Sequence, residues 1–472
     1  MRMHVPYPAV LARALALALA LGFGGFGAAA AASPPSGELP VSEFRARRSE
    51  AMRRMPDGIL LLPSISFEFA GDQVFLHGFQ QRPNFYYFTG LASASGAVLA
   101  IDGAAKETWL FVPKELPRFN ALLERARIEP GASTAAALGL DRVVDRKELS
   151  AFLLRRQEAP GLLLYTAGLA EGGHGFPLDI ALDDPQAAWN HAMEELWPTG
   201  RLKSADPFLG QMRLIKSPAE IEVMRVTGAA SARALRAGLS ALRPGRTQRA
   251  AEGDVVCACL DAGAEGPSFW PWVMTGPASA FPAPFESLVD YRHLNRTMRA
   301  GEVARVDVGC DADHYMGDVG RTAPVSGSFD AGQRETWELL VAAYRAGLLA
   351  IRDGVTSDAV FSASLSEVRR RQSALATPLG KKAADVLLGA DGLKFWGIHG
   401  VGLEAGEGSP KTLAAGMVVA FEPIFSVDGQ GFYLEDMILV TKEGHEILTP
   451  GLPYTAGEIE RATRPHPDER GD

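Results

Sequence analysis

The sequence predicts an α/β N-terminal domain followed by an α+β C-terminal domain. Short apolar runs between residues 58 and 113, broken by glycine, aspartate and proline and accompanied by helical patterns, indicate the first domain. A long capped helix that begins near residue 218, followed by further helices and late strand-like segments, indicates the second. At 472 residues and 47% hydrophobic, the chain is long enough for both domains to have sizeable cores.

Residues 1–32 have the layout of a secretory signal peptide. Arg2 and Arg13 precede an apolar run that starts at Ala14, and small residues lead to Ala32 and Ser33. An uncleaved membrane anchor is the alternative, because the run approaches the roughly 20 residues that a spanning helix needs. We expect cleavage, no stable membrane span in the mature chain, and an exported protein, periplasmic or secreted. Residues 33–41 have the composition of a linker.

The formal net charge of -9 gives no global support to nucleic-acid binding. The most basic stretch, Arg45 to Arg54, has its charges at helical spacings. It is predicted to be a solvated helix face.

The three cysteines are predicted to be buried thiols without a disulfide framework. Their number is odd, and Cys257 and Cys259 are too close in sequence for a comfortable bridge with each other. Cys310 is the third.

Residues 42–205 form the predicted N-terminal domain. Helices are expected at Phe119–Ala126 and Ala187–Leu196, and no catalytic cluster is visible in this part of the chain. The predicted strands lie at residues 58–62, 84–91, 97–102 and 108–113.

Residues 206–461 form the predicted second domain, followed by a polar tail at residues 462–472. Ser217 as N-cap, Pro218 at the first helical position and Glu220 in a capping box predict a helix from about 218 to 242. Its buried stripe is predicted to comprise Ile221, Met224, Ala232, Leu235 and Leu239. Further helices are expected at residues 333–351 and 355–375, and strands at 418–425 and 433–441.

Carboxylates occur where this domain should have an apolar interior. Asp307 lies in an apolar-leaning β pattern, and Asp318 lies on the return strand of the same hairpin. A solvated turn is sufficient to explain Asp311 and Asp313, but it explains Asp307 poorly.

Three more polar residues interrupt apolar or glycine-rich runs. Glu422 follows the run MVVAF, Glu435 lies within GFYLEDMILV, and His399 stands between glycines. Each has a structural explanation when taken singly. A carboxylate buried alone is costly, so each should be paired, hydrogen-bonded or metal-bound.

Together, four carboxylates and one imidazole are a suitable ligand set for a pair of divalent metals. Oxygen-rich ligation favours manganese, with cobalt or zinc as alternatives. Two metals about 3.5 to 4 Å apart can activate water and polarise a carbonyl, which is hydrolytic chemistry.

The ordered motifs VDVG, GDVGRT, HGVGLE, GMVVAFEP and LEDMILVT resemble the ligand series of the pita-bread metallopeptidases, most of all aminopeptidase P and the prolidases. The segment QQRPNFYYFTGL resembles a signature of the aminopeptidase P N-terminal domain. The resemblance covers roughly residues 42–460. It implies a pita-bread (creatinase/aminopeptidase) fold for the second domain and a homo-oligomer, dimer or tetramer.

The resemblance also implies a role for each ligand. Asp307 would be a bidentate ligand of one metal, His399 and Glu422 would complete the shell of the other, and Asp318 and Glu435 would bridge. Glu422 would also handle the proton of the attacking water. Family members cleave the bond before a proline and commonly use manganese, so the implied partner is a proline-containing peptide.

The chain departs from the family pattern around these ligands. Asp290 stands where the family has a substrate-side histidine, and His293 follows three residues later. Phe395 and Gly406 replace two further histidines, and Tyr433 replaces an arginine. We take Asp290 and His293 as candidate catalytic residues beside Glu422, and Phe395 and Tyr433 as candidate substrate-binding residues.

The expected function is that of a dimetal Xaa-Pro aminopeptidase. Loss of one oxyanion donor typically costs about a hundred- to a thousandfold in rate, so the departures leave alternatives open. These are a prolidase-type dipeptidase, or a metal-binding pita-bread protein with lost or altered peptidase activity. The five intact ligands favour an enzyme, because such a set is costly to bury with no metal to bind.

Overall fold

The computed structural model describes residues 39–65, 80–114, 127–169, 185–198, 200–281, 295–390 and 392–464. The predicted signal peptide, most of the linker and of the tail, the helix at Phe119–Ala126, and both Asp290 and His293 lie outside the described residues. Within the described ranges, no helix has both the length and the apolar character needed to cross a membrane. The predicted domain boundaries stay predictions.

The first part of the chain forms a mixed six-stranded sheet with helices around it. The strand order is β4-β3-β2-β1-β5-β6, in which β1–β2 and β2–β3 are antiparallel and the other neighbours are parallel. The strands are β1 Gly58–Pro63, β2 Val98–Asp102, β3 Glu107–Val112, β4 Arg142–Asp145, β5 Leu163–Thr166 and β6 Leu202–Ser204. The helices are α1 Val41–Arg54, α2 Pro83–Thr89, α3 Ala132–Leu138, α4 Leu149–Gln157, α5 Pro185–Leu196 and α6 Asp206–Leu214.

The predicted strand at residues 84–91 is wrong, because this segment forms α2. Pro83 occupies the first turn, and Gly90 ends the helix in the left-handed conformation at φ 69°. Residues 85–89 are all buried, so the aromatic run shows no alternation that would distinguish a strand from a buried helix.

The prediction of a solvated face on α1 is also wrong for two of its arginines. Arg47 and Arg48 are 4% and 2% exposed. Arg47 donates to the carbonyl oxygen of Tyr87, and Arg48 donates to that of Phe88 at 2.6 Å. Since the last carbonyls of a helix lack helical partners, these guanidinium groups bind the C-terminal end of α2 and fix α1 against it.

The second part of the chain packs helices against an antiparallel sheet. The main strand order is β13-β14-β16-β12-β9-β8, with β15 and β17 also paired to β16, and a small sheet has the order β11-β10-β7. The strands are β7 Gly266–Pro267, β8 Trp272–Thr275, β9 Val303–Val308, β10 Cys310–Ala312, β11 Tyr315–Met316, β12 Val319–Pro324, β13 Gly397–Gly400, β14 Val418–Glu422, β15 Ile424–Val427, β16 Gln430–Val440 and β17 His445–Ile447. The helices are α7 Pro218–Ser240, α8 Gln248–Asp261, α9 Ala331–Ala350, α10 Ser357–Arg371, α11 Pro378–Leu388 and α12 Ala456–Ala462.

The predicted helix at 218–242 is confirmed as α7, with the capping box between Ser217 and Glu220 in place. Four of the five predicted stripe residues are buried, and Ile221 is partly buried. The strand predicted at 418–425 is divided at Pro423, which has no N–H to donate to a ladder, into β14 and β15.

The prediction of three buried thiols is wrong. Cys259, on α8, forms a disulfide with Cys310, on β10, while Cys257 is an exposed free cysteine. Residues two apart on a helix point to nearly opposite sides, so only one of the two α8 cysteines can face the sheet. The chain after α8 returns as β7, which pairs with β10 so that Pro267 lies opposite Cys310. This pairing brings Cys310 close to α8, where its Cα lies 5.5 Å from that of Cys259.

The register of β9, β12 and β16 places two predicted ligands on one line across the sheet. Gly320 on β12 is paired with Asp307 on one side and with Glu435 on the other. Directly opposite residues point to the same face of an antiparallel sheet. A Cβ atom at position 320 would lie 1.9 Å from Cε1 of Tyr433, so only glycine leaves room for that ring.

Candidate metal centre

The structure brings four of the five predicted ligands together around one imidazole nitrogen. His399, on β13, has Nε2 3.5 Å from Oε1 of Glu422 at the end of β14. The same nitrogen is 3.8 Å from Oδ2 of Asp318 and 3.9 Å from Oε1 of Glu435. Ligand atoms of Asp318, His399 and Glu435 all lie within 4.8 Å of one another. This spacing suits donor atoms that share a cation.

The fifth predicted ligand, Asp307, adjoins the same cluster. It is 8% exposed, and the register places it across Gly320 from Glu435. Its charge opposes ionisation of Asp318 and Glu422, which places its carboxylate in their electrostatic reach. All five predicted ligands therefore face one region of the sheet.

Two neighbouring residues on β16 show that this cluster differs from an ordinary buried carboxylate. Asp436 accepts hydrogen bonds from Arg321, Tyr344, Thr449 and Tyr454, so its charge is fully compensated. Glu435 is 0% exposed, yet its Oε1 has no hydrogen-bond partner among the described residues. Because an unpaired buried oxygen of this kind is costly, the donor set fits a bound cation.

Burial and mutual repulsion disfavour the charged forms of these carboxylates in the absence of a cation. Burial raises the pKa of Asp307 to about 6, against the influence of Arg305, and raises that of Glu422 to about 8. Burial first and neighbouring carboxylates second raise the pKa values of Asp318 and Glu435 well above the usual range. A cation is the partner that would reverse these shifts.

His399 is prepared as a metal ligand. Burial lowers the pKa of its imidazole, which favours the neutral form. Its Nδ1 lies 3.1 Å from the carbonyl oxygen of Gly400, and a carbonyl can only accept. With Nδ1 as the donor, Nε2 presents its lone pair to the carboxylates.

The candidate substrate-binding residues lie in two different settings. Tyr433 is 2% exposed and its hydroxyl donates to Oε2 of Glu435, so it contacts a predicted ligand directly. Phe395 is half-buried and packs on Phe281 at a ring-centroid distance of 4.1 Å. Their contact with a substrate stays a prediction, as do the roles of Asp290 and His293.

Two further polar residues, Asp311 and Arg305, are buried although the sequence did not predict it. Asp311 is 4% exposed, which contradicts the solvated turn, and burial raises its pKa to about 7. The turn itself is formed by Asp313 and His314, both at positive φ. Arg305 is buried beside Asp307, and its position two residues earlier on the same strand was the available signal.

The chain matches the models of two protein families. The model described as aminopeptidase P, N-terminal domain, matches residues 44–161, and that of metallopeptidase family M24 matches residues 222–442. The chain is 25% identical over 446 residues to the Xaa-Pro aminopeptidase of Escherichia coli (strain K12), covering 90% of this chain and 98% of that protein. It is 24% identical over 385 residues to the Xaa-Pro dipeptidase of Pyrococcus furiosus, covering 80% and 93%.

Solved structures show the same architecture. A putative aminopeptidase P from Bacillus anthracis superposes with a TM-score of 0.74 at 19% identity. Escherichia coli aminopeptidase P with the inhibitor Pro-Leu superposes with a TM-score of 0.71 at 24% identity. Each comparison covers 90% of this chain and 98% of the other. The predicted fold, an α/β domain followed by a pita-bread domain, is confirmed.

The bridging roles of two ligands can be tested by metal analysis. We expect the wild type to bind two divalent ions per chain, and Asp318→Ala or Glu435→Ala to lose both, because each side chain would contact both ions. Glu443→Ala, which removes an exposed carboxylate after β16, should keep the wild-type content. Two ions retained in either ligand variant would show that the bridging assignment is wrong.

The raised pKa values predict that the effect of metal on stability depends on pH. Folded-state values of about 6 for Asp307 and about 8 for Glu422 exceed the usual values of these groups. Their stabilisation of the metal-free fold is therefore complete below about pH 4 and is lost as the pH rises through 6 to 8. Bound metal needs the ionised carboxylates, so the gain in Tm on adding manganese to chelator-treated protein should increase across the same window.

Melting curves with chelator and with manganese between pH 5.5 and 8.5 measure this gain directly. Glu422→Gln should flatten its dependence on pH above about pH 6. A gain that stays constant over the range would contradict the assignment of these carboxylates as metal ligands.

Proposed function

The chain belongs to the aminopeptidase P and prolidase family of metallopeptidases, and we propose that it is a dimetal exopeptidase that removes an N-terminal residue ahead of proline from peptides. The cluster around His399 carries this proposal. Carboxylate oxygens and an imidazole nitrogen converge there within 4.8 Å, with one buried glutamate oxygen lacking a partner among the described residues.

The resident group would be a pair of divalent ions, for which we propose manganese because the donors are mostly oxygen. When bound, such a pair supplies water activation and carbonyl polarisation. Asp307, Asp318, His399, Glu422 and Glu435 would hold it, with no other described residue required.

Glu422 is suited to move the proton of the attacking water. Its side chain is 27% exposed, more than those of Asp307, Asp318 and Glu435, so it can meet a substrate. A carboxylate held beside the attacking water can accept a proton from it and pass that proton on. We propose that Glu422 takes this proton and delivers it to the leaving amine.

The surroundings of Phe395 favour a second candidate, a metal-binding relative with altered specificity or lost peptidase activity. Where the family has an imidazole, this chain has an aromatic ring packed on Phe281. The ring cannot donate to a developing oxyanion, so another group must do so in a working peptidase. A prolidase-type dipeptidase is the third candidate.

We also propose that the protein is exported. The predicted signal peptide supports this, and so does the disulfide between Cys259 and Cys310, since disulfides persist in oxidising compartments. A dimer or tetramer is the assembly that the family resemblance leads us to propose.

Peptide assays distinguish the three candidates. The mature chain, loaded with manganese, should release alanine from Ala-Pro-Ala at a rate far above that from Ala-Ala-Ala. Turnover restricted to Ala-Pro would favour the dipeptidase. No turnover of any Xaa-Pro peptide by protein that contains both metals would exclude the peptidase proposal.

His293 is the proposed substitute for the missing oxyanion donor. An imidazole can donate a hydrogen bond, whereas an ionised Asp290 can only accept. His293→Ala should therefore lower kcat/KM by about a hundredfold or more at unchanged metal content and Tm. Asp290→Asn serves as the matched variant, and full activity of His293→Ala would remove His293 from the mechanism.

A further inference from the structure

Arg305 occupies an unusual position beside the metal centre. It lies on β9, two residues before Asp307, so both side chains point to the same face of the sheet. It is 1% exposed, and its Nη2 lies 3.8 Å from Oδ2 of Asp307. Its guanidinium carbon lies 5.4 Å from the ring centroid of Trp272 and 5.3 Å from that of Tyr433.

The guanidinium is held in place by aromatic faces rather than by hydrogen bonds. Its Nε and Nη2 are buried without a hydrogen-bond partner among the described residues. Other buried arginines of this chain are supplied with acceptors: Arg48 by backbone carbonyls and Arg321 by Asp436 and by backbone carbonyls. Burying N–H groups without acceptors costs folding free energy, so packing alone does not explain an arginine at position 305.

The sheet register places Arg305 close to position 433, where the family resemblance leads us to expect an arginine. Gly320 is paired with both Asp307 and Glu435, so the positions two residues before these ligands, 305 and 433, lie close together on one face. The resemblance places an arginine at 433, where this chain has tyrosine. A guanidinium can therefore reach the cluster from β9 as well as from β16.

We propose that Arg305 is a positioning residue of the metal centre, which supplies from β9 a guanidinium that the family resemblance would place on β16. Its ion pair with Asp307 holds that carboxylate in orientation for metal binding. Tyr433 completes the arrangement, because its ring carries the guanidinium while its hydroxyl holds Glu435. One aromatic residue thus connects the cation to a second predicted ligand.

This inference rests on the metal centre of the proposed function but not on peptide specificity. Among the described residues, Arg305 is the arginine or lysine that forms an ion pair with one of the five predicted ligands. Groups that orient metal ligands typically contribute about 10- to 100-fold in metal affinity or activity. Metal affinity is therefore a readout that remains available even if the peptide substrate is wrongly assigned.

The test compares manganese affinity, by competition with a chelator, in wild type, Arg305→Leu and the double variants Arg305→Leu/Tyr433→Arg and Arg305→Leu/Tyr433→Phe. Arg305→Leu should bind manganese about 10- to 100-fold more weakly than wild type. Both double variants lack the hydroxyl that binds Glu435, so they differ only in the cation placed on β16, and the arginine variant should bind about tenfold or more tightly than the phenylalanine variant. A purely structural loss would not be repaired by adding an arginine on another strand.

Arg156→Leu is the matched control. Arg156, on α4, pairs with the buried Asp102 of β2 at 2.7 Å, and its Nε is buried without a hydrogen-bond partner among the described residues. Its removal also breaks an arginine–carboxylate contact, but in the first sheet, which carries none of the five predicted ligands. It should leave manganese affinity unchanged, and an equal loss in Arg156→Leu would overturn the proposal.

Two other results would also overturn it: wild-type affinity in Arg305→Leu, or an arginine double variant that binds no more tightly than the phenylalanine double variant. If Arg305→Leu fails to fold, the two double variants decide, since recovery of folded, manganese-binding protein by arginine but not by phenylalanine at position 433 supports the relocated charge, and equal behaviour contradicts it. A wild type that binds both metals but cleaves no Xaa-Pro peptide would refute the proposed function and leave this comparison intact.

Discussion

Several buried carboxylates lie close together on one face of the main sheet of the second domain, where their charges need compensation. On β16 the alternation of side chains sends Glu435 to one face and Asp436 to the other. Protein donors saturate Asp436, which connects β12, α9 and the segment before α12 behind the sheet. Glu435 instead has one carboxylate oxygen without a hydrogen-bond partner in the part of the chain that the structure describes. The sheet therefore has a face completed by the protein and a face that requires cations.

The position of His399 depends on a second set of compensated charges at some distance from the ligands. Glu407 accepts from both Arg213 and Lys216, and all three side chains are buried. The backbone N–H of Glu407 in turn donates to the carbonyl of Gly400 at 2.7 Å. This ion-paired loop thus fixes the residue next to His399, whose Nδ1 lies on that same carbonyl oxygen. The helix before α7 supplies Arg213, so the connection between the two domains contributes to ligand geometry.

Local signals in the sequence predicted local structure well. The capping box that begins α7 is the example, because it depends on Ser217 and Glu220, three positions apart. The strand prediction for the segment that forms α2 was wrong because a fully buried aromatic run has no periodicity that distinguishes a strand from a helix. The prediction that Arg47 and Arg48 are solvated was wrong for a different reason. Their hydrogen-bond acceptors are carbonyl oxygens 40 residues away in sequence. The bridge between Cys259 and Cys310 likewise depends on the return of β7 along β10.

The surroundings of the ligands were the least predictable part because they are defined by contacts between strands. When the chain is compared with the family pattern position by position, Tyr433 stands in place of an arginine. Arg305 belongs to a different motif and has no visible relation to that substitution. In the folded sheet the two side chains are in contact, at 5.3 Å between guanidinium carbon and ring centroid. A substitution within a sheet therefore has to be evaluated against side chains on the nearby strands, because a charge missing from β16 can be supplied from β9, on the other side of β12. By this criterion the environment of Asp307 and Glu435 is rearranged rather than lost. At Phe395 a phenyl ring replaces the expected imidazole, packed on Phe281 and with the Lys394 ammonium 5.5 Å from its centroid.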